Sequence, residues 1–115
     1  MYKNRIKAEF ILEMINRIEY IVKKHRSVTK TLNDIEGEMA VLMAVAQIGE
    51  TLKKIDDEIL KKFDLLQDKE GAYYTRNYIV HDYEGVNLAY IERIIRDYLP
   101  KMKIKIINLI KSLEN

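Results

Sequence analysis

Side chains suited to one buried helical face recur at intervals of three and four along the first 25 positions. The main stripe contains Ile6, Phe10, Met14, Ile18, Ile21 and His25, and Ile11, Ile15 and Val22 widen it. This spacing matches the 3.6-residue turn of an α-helix rather than the two-residue alternation of a strand. The pattern predicts an amphipathic helix over residues 2–25.

A second periodic segment follows after a polar connection. Residues 27–34 offer several capping side chains and no apolar period, which is typical of a link between helices. The next stripe predicts a helix over 35–55. It contains Ile35, Met39, Leu42, Ala46 and Gly49 and ends near Leu52 and Ile55. Glycine inside a helix costs about 1 kcal/mol relative to alanine, so these small residues indicate the close approach of another helix.

The central part of the chain predicts two further helices. Residues 56–63 place acids before lysines, in the order that the helix macrodipole favours. Gly71 is predicted to form a turn, and a helix is predicted over 72–83.

A break at 84–87 separates this helix from the last one, which Asn87 can cap. Pro100 lies inside the last helix and should end or kink it near residues 98–99. No segment shows the strict alternation of a half-buried strand. The predicted architecture is an all-α, up-and-down bundle of four or five helices in a single domain over residues 1–115.

The amino-acid composition limits the kinds of chemical site that the chain can form. The 115 residues are 48% hydrophobic and 33% charged, as in a soluble globular domain. Cysteine is absent, which removes disulfides, thiolate metal sites and thiol nucleophiles. The two histidines are isolated, and no H-E-x-x-H pattern, phosphate-binding loop or nucleophile elbow occurs. No metal and no bound cofactor are therefore expected.

Charge and hydropathy set the expected location. The net charge of +2 is too small to indicate nucleic-acid binding by itself. Residues 101–111 carry four lysines and no acid, which either attract phosphates or complement the C-terminal end of a helix. No apolar run approaches the roughly 18–20 residues that span a bilayer, and no signal peptide is visible at the start. A soluble, cytoplasmic protein without a membrane segment is expected.

The segment RNYIVHDY at 76–83 concentrates reactive side chains. On a helix, Asn77 and His81 form an i, i+4 pair that can share a hydrogen bond. Arg76 and His81 lie about 140° apart around the axis and about 7.5 Å apart along it, so they do not touch directly. This placement suits a group lying across the helix, such as a phosphodiester.

Arginine and histidine together can act on a phosphodiester without a metal. A histidine can take the proton of an RNA 2′-hydroxyl, and an arginine can stabilise the charge that develops on phosphorus. Each residue also has an ordinary alternative, because such pairs occur on helices without catalysis. Asp82 either supports His81 or faces water. Glu50 is either part of the site or a surface carboxylate paired with Lys53 or Lys54.

The same residues resemble a known family. Arg76-Asn77 followed by His81-Asp82-Tyr83 matches R-x4-H-x-Y, the signature of the HepT branch of the HEPN superfamily. AVAQIGETLKK at 44–54 is similar to the A-x3-I-G-E element of that family. HDYEGVNLAYIERIIRDYLPKM at 81–102 resembles the segment after its motif, although Asn87 stands where the family commonly has Asp. The likeness covers most of residues 40–105.

The resemblance implies a homodimeric HEPN-like bundle in which the two motifs face a shared cleft. It implies the toxin of a type VII toxin–antitoxin system, a metal-independent ribonuclease acting on RNA. In that role Arg76 holds the phosphate, His81 acts as acid and base, and Asn77 orients the site, with Asp82 and Glu50 in support.

The resemblance also implies a partner. A minimal nucleotidyltransferase (MntA-like) antitoxin would use ATP to attach AMP to Tyr83, which would block the cleft. The alternative function is a non-catalytic dimer that serves as the partner or substrate-binding subunit of that nucleotidyltransferase. A weaker alternative is a structural bundle in which the motif only fixes the dimer register.

Overall fold

The computed structural model describes residues 2–114, which form helices joined by short turns. The helices are α1 Tyr2–His25, α2 Val28–Leu32, α3 Ile35–Leu52, α4 Asp57–Lys62, α5 Leu66–His81, α6 Leu88–Arg93 and α7 Leu99–Ser112, with a 3₁₀ turn at Tyr83–Gly85 and a π-helical turn at Ile94–Tyr98. No strand occurs within the described residues. The all-α bundle is confirmed, and α1 ends where the periodicity predicts.

The long helix α3 is the centre of the bundle. It packs against α1 on one side and α5 on the other, and α1 packs against α7. The largest fully buried side chains come from α1, α3, α4, α6 and α7 and from the residue directly before α5: Ile11, Ile15, Ile18, Val41, Leu42, Ile48, Leu52, Leu60, Leu65, Ile91, Ile106 and Leu109. A single apolar core, to which α5 contributes Ile79, holds these helices together.

The connection predicted at 27–34 contains the short helix α2. Ser27 caps it by accepting a hydrogen bond from the Lys30 backbone N–H at 3.0 Å. Val28 and Leu32 are buried against the core, which anchors the segment. The segment connects α1 to α3 as predicted, but the sequence pattern did not reveal its short helix, because five residues are too few to display a helical period.

The predicted turn at Gly71 is also wrong. Helix α5 begins at Leu66 and runs through Gly71 to His81. The reversal before it lies at Asp64, whose φ of 60° places it in the left-handed region. Asp is among the residues that tolerate this conformation, so the turn needed no glycine.

The apolar stripe of α3 is partly misassigned. Ile35 and Met39 are 79% and 55% exposed, whereas Val41, Val45 and Ile48 are buried. The helix is apolar over more than one face, so its periodicity did not identify the side that meets the core.

Pro100 produces the predicted irregularity without ending the helix. The π-helical turn lies directly before it, and the Leu99 N–H bonds to the Ile94 carbonyl, five residues back. Proline lacks an N–H and its ring crowds the preceding turn, so a wider turn accommodates it. Segments α6 and α7 thereby form one continuous rod.

Two tyrosines fasten α5 to α6 and to the turn between them. The Asn87 backbone N–H donates to the Tyr78 hydroxyl at 2.7 Å, and the Tyr78 and Tyr90 rings meet edge to face. The Tyr90 hydroxyl lies 2.8 Å from the Thr75 hydroxyl. Asn87 caps α6, as predicted, by accepting from the backbone N–H groups of two following residues.

A cavity of about 480 Å³ separates α5 from the α6–α7 rod. Its floor includes Val45 and Ile48, and none of the motif side chains lines it. Within residues 2–114, no helix has the combination of length and apolarity needed to cross a bilayer.

Candidate active site

Gly49 determines how closely α5 approaches α3. A Cβ atom at this position would overlap the Ala72 backbone and lie 2.9 Å from the Arg76 Cβ. Since ordinary van der Waals contact needs a larger separation, only glycine permits this crossing. The close approach predicted from the small residues of α3 is confirmed, and it places Arg76 directly beside Glu50.

Arg76 is held by contacts on both helices. Its Nε lies 2.9 Å from Glu50 Oε2, and its Nη1 donates to Asn77 Oδ1 at 2.8 Å. The side chains of Arg76 and Glu50 are 29% and 34% exposed. The guanidinium is therefore oriented by protein groups while part of it still faces solvent.

The Glu50–Arg76 contact is an ion pair rather than a directed hydrogen bond. Glu50 Oε2 is fully shielded from solvent and accepts no well-aligned N–H from the described residues, despite the short distance to Nε. The other oxygen, Oε1, lies 3.9 Å from Lys54 Nζ. Charge–charge attraction depends weakly on angle, so the pair is still favourable, and Nη2, which has no protein partner among residues 2–114, remains available to a ligand.

His81 stands apart from these groups. It is the last residue of α5, it is exposed, and its ring has no hydrogen bond or ion pair within residues 2–114. The predicted Asn77–His81 hydrogen bond is not formed, and Asn77 Oδ1 instead accepts from Arg76. The expectation that Arg76 and His81 do not touch agrees with this arrangement.

Asp82 and Tyr83 follow on an exposed turn. Asp82 ends α5, with its N–H bonded to the Tyr78 carbonyl at 3.0 Å, and Tyr83 begins the 3₁₀ turn. The Tyr83 side chain is 44% exposed. This exposure makes the ring, two residues past His81, accessible to another macromolecule.

Two residues of this surface were not singled out by the motif. Lys53 Nζ lies 4.0 Å from the centroid of the Tyr73 ring, and Arg76 Cζ lies 5.7 Å from the same centroid. The sequence held a usable signal, because Tyr73 precedes Arg76 by three residues and Lys53 follows Glu50 by three. Residues so spaced are neighbours on a helix surface.

The arrangement offers a fixed cation and an accessible imidazole on adjacent turns. In the part of the chain that the structure describes, His, Asp and Glu side chains do not gather in groups of three or more that could hold a metal ion. The groups present can bind an anion through Arg76 and exchange a proton through His81.

Comparison with known proteins assigns the chain to a family. Residues 11–109 match the family model described as "Ribonuclease HepT-like". Two proteins of Methanocaldococcus jannaschii, "Putative RNase MJ0125" and "Putative RNase MJ1216", are each 28% identical over 116 residues, covering 99% of this chain and 98% and 94% of their own lengths. No solved structure gives a significant match. The chain therefore belongs to the HepT-like ribonuclease family.

Proposed function

We propose that this protein is a metal-independent endoribonuclease that uses Arg76 and His81. The observation that carries the proposal is their placement on adjacent turns of α5, with Arg76 oriented by Glu50 and Asn77 and His81 open to solvent. Membership of the HepT-like ribonuclease family supports it. So do the relatives whose names describe them as RNases.

The chemistry follows from these groups. His81 takes the proton of a 2′-hydroxyl, and the 2′-oxygen bonds to the adjacent phosphorus while the bond to the 5′-oxygen breaks. The leaving oxygen takes a proton, so the products are a 2′,3′-cyclic phosphate and a 5′-hydroxyl. Arg76 stabilises the added negative charge on the phosphoryl oxygens.

The active form in this proposal is a homodimer. Ile35, Met39 and Met43 of α3 and Val80 of α5 are all more than half exposed. The three α3 residues recur at intervals of four. The same helix face continues through Gln47, four residues further on, to Glu50. An exposed apolar stripe of this kind is typical of an association surface, and it runs towards Arg76.

A two-fold dimer would bring together Arg76 and His81, which do not touch within one chain. With α3 and α5 of two chains face to face, Arg76 of one chain can act with His81 of the other, or both pairs can flank one strand. The second histidine then provides the proton donor for the leaving oxygen.

Substitution of the two motif residues tests the nuclease proposal. Arg76→Ala and His81→Ala should each reduce cleavage of single-stranded RNA by at least about a hundredfold, as removal of an acid–base or charge-stabilising group does. Arg93→Ala and His25→Gln are the matched controls, because they change the same residue types outside the site. Product ends identified by mass spectrometry should carry cyclic phosphate and 5′-hydroxyl groups.

Two results would contradict the proposal. One is cleavage that persists in both motif variants. The other is a wild-type chain that never cleaves RNA but binds a nucleotidyltransferase, which favours the non-catalytic partner function. Loss of folding in the motif variants, detected by circular dichroism, would favour the purely structural function.

We also propose that Tyr83 is the point of control by a nucleotidyltransferase antitoxin, as part of a toxin–antitoxin pair. The Tyr83 oxygen would attack the α-phosphorus of ATP, releasing pyrophosphate and leaving AMP on the ring. Its exposure and its position beside His81 support this, because a bulky anionic group there would repel an RNA phosphate.

Intact mass after incubation with such an enzyme and ATP tests the modification. The wild type should gain AMP and lose nuclease activity, whereas Tyr83→Phe should gain no mass. Tyr98→Phe is the matched control, since Tyr98 is similarly exposed. An unchanged wild-type mass, or equal gain by Tyr83→Phe, would exclude Tyr83 as the acceptor.

A further inference from the structure

Two cations share one aromatic ring beside the candidate active site. Lys53 Nζ lies 4.0 Å and Arg76 Cζ lies 5.7 Å from the centroid of the Tyr73 ring. The two charges therefore lie no further apart than the sum of these distances. Neighbouring phosphates on an extended single strand have a spacing of the same order, and proteins that bind single strands track the backbone with such cations.

Lys53 is the lysine of this cluster that is available to a ligand. It is exposed and has no carboxylate within ion-pair distance among residues 2–114. Its neighbours are engaged, because Lys54 Nζ lies 3.9 Å from Glu50 and Lys7 donates to the Lys54 carbonyl at 3.1 Å. Lys53 is exposed and Tyr73 is half-buried, so the contact between them is weak, and the flexible lysine stem can exchange the ring for a phosphate.

Tyr73 continues the row of motif side chains along α5. Tyr73, Asn77 and His81 are spaced by four residues, so they lie along one side of the helix over a rise of about 12 Å. A strand lying on this row, with a phosphate at Arg76, reaches Tyr73 within the next nucleotide. When Lys53 moves to a phosphate, it exposes a ring face on which a base can stack.

We propose that Lys53 and Tyr73 form a second nucleotide subsite, adjacent to the one that holds the scissile phosphate. Lys53 pairs with the neighbouring phosphate, and Tyr73 stacks against a base of the same strand. The inference rests on the proposed ribonuclease function for the identity of that strand as single-stranded RNA. Stacking and phosphate pairing are independent of base identity. The subsite therefore increases affinity for RNA long enough to reach it, and it does not select a base sequence.

Binding measured without cleavage tests the subsite. The probe is a fluorescent single-stranded RNA with 2′-O-methyl sugars, which lacks the attacking hydroxyl, and its anisotropy is followed over a series of salt concentrations. Lys53→Ala should weaken binding several-fold and reduce the slope of log affinity against log salt by about 0.7, the value for one phosphate contact on a single strand. Lys61→Ala is the matched control, an exposed lysine on α4 that should leave both values unchanged.

The tyrosine is tested by a pair of variants. Tyr73→Phe retains the ring and should bind like the wild type, whereas Tyr73→Leu should lose at least about fivefold in affinity, as a lost base stack does. Thermal unfolding of Tyr73→Leu shows whether the variant is folded. If it is not, the Lys53 comparison decides, because that side chain is exposed.

The outcomes separate this inference from the proposed function. Equal affinity and equal salt slope in wild type, Lys53→Ala and Lys61→Ala overturn the subsite, as does a wild type that does not bind the probe. If the wild type and the Lys53→Ala and Lys61→Ala variants bind the probe as predicted, but the wild type does not cleave unmodified RNA, the subsite is supported and the ribonuclease proposal is contradicted. Cleavage that is normal in wild type, with no effect of Lys53 on binding, contradicts the subsite alone.

Discussion

At the scale of single residues, Gly49 and Gly71 lie in helix interiors with opposite surroundings. A Cβ at Gly49 would overlap the Ala72 backbone, whereas a Cβ at Gly71 would meet no atom within 4 Å. Both glycines carry the same backbone entropy cost in a helix. Only at Gly49 is this entropy cost offset, because the missing side chain allows α5 to pack on α3 and brings Arg76 to Glu50.

This contrast gives a prediction with its own control. Gly49→Ala should destabilise the fold by about 1–3 kcal/mol, since backbone atoms would have to move apart. Gly71→Ala should stabilise it by about 0.5–1 kcal/mol by removing a glycine from a helix without a clash. Urea unfolding at equilibrium measures both values. Equal effects of the two substitutions would contradict the role assigned to the helix crossing.

Glu50 and Asn77 show how a binding residue is oriented before its ligand arrives. Both contact the Arg76 guanidinium, at 2.9 and 2.8 Å. Fixing a long side chain in advance reduces the conformational entropy that binding would otherwise cost. The negative charge of Glu50 opposes this benefit by competing with the phosphate, so its net effect depends on the part of the guanidinium that stays open.

At the scale of elements, the start of α3 depends on a charged cap. Asp34 accepts a hydrogen bond from the Gly37 backbone N–H at 2.8 Å, and its Oδ2 lies 3.3 Å from His25 Nε2. The Gly37 N–H, followed by His25, lowers the pKa of Asp34 below its usual value of 3.8. The cap thus joins the end of α1 to the start of α3.

The lowered pKa predicts an acid-dependent loss of stability. A carboxyl with a lower pKa in the folded state stabilises the fold above the unfolded pKa of 3.8, and this contribution is lost as the pH falls through the folded value. Asp34→Asn retains a capping side chain without the titrating charge. Its melting temperature should therefore decline less than that of the wild type between neutral pH and about pH 3.

Asp34→Ala provides the comparison, since it removes both cap and charge and should melt at lower temperature than Asp34→Asn at neutral pH. Parallel acid profiles for wild type and Asp34→Asn would show that other carboxyls cause the pH dependence. The exposed Asp97→Asn variant controls for the loss of any single acid.

The lysines of α7 attach it to the rest of the bundle. Lys103 Nζ lies 2.7 Å from Glu19 on α1, and Lys105 Nζ lies 3.0 Å from Asp68 on α5. The hydrogen bond to Asp68 raises the pKa of Lys105 above its usual 10.5. These contacts give two of the four lysines at 101–111 a structural role that neither reading of the sequence included.

At the scale of the whole molecule, the main unexplained surface is the exposed apolar stripe on α3. Ile35, Met39 and Met43 face solvent in the single chain, although the α3 positions on the other side fill the core. Burial of such side chains is worth roughly 25 cal/mol per Å² of apolar surface, so a second copy of the chain would gain by covering them. The homodimer proposed above uses this surface.

Substitution within the stripe tests the assembly. Met39→Glu should convert the dimer largely to monomers, because the two-fold axis would bring the new charges close together in an apolar contact. Sedimentation velocity measures the dissociation. Ile104→Glu is the control, since Ile104 is as exposed but lies on α7.

The rate of RNA cleavage provides a second test of the proposed dimer. If the active site is composite, cleavage per chain should fall on dilution of the wild type and should be low in Met39→Glu at every concentration. A rate per chain that is independent of concentration would show that one chain contains the whole site.

The sequence by itself determined the all-α class, most of the long helices and the family. Periodicity located α1 and most of α3, and Asn87 and Pro100 marked the start and the irregularity of the last rod. These features depend on local interactions, namely the 3.6-residue repeat, capping and the missing N–H of proline. They can therefore be predicted from the sequence alone. The residues R-x4-H-x-Y likewise identified the candidate site before any contact was known.

Only the tertiary structure decided which faces meet. Nothing local distinguishes Met39 from Leu42 as a core residue, and nothing local shows that Asn77 bonds to Arg76 rather than to His81. The buried faces of α3 are those against which α1 and α5 pack, and Gly49 sets the α5 crossing through a contact between residues more than 20 positions apart. The Lys53–Tyr73 pair exists for the same reason. Packing between distant segments, and not the pattern within any one of them, assembles the surface on which the proposed chemistry takes place.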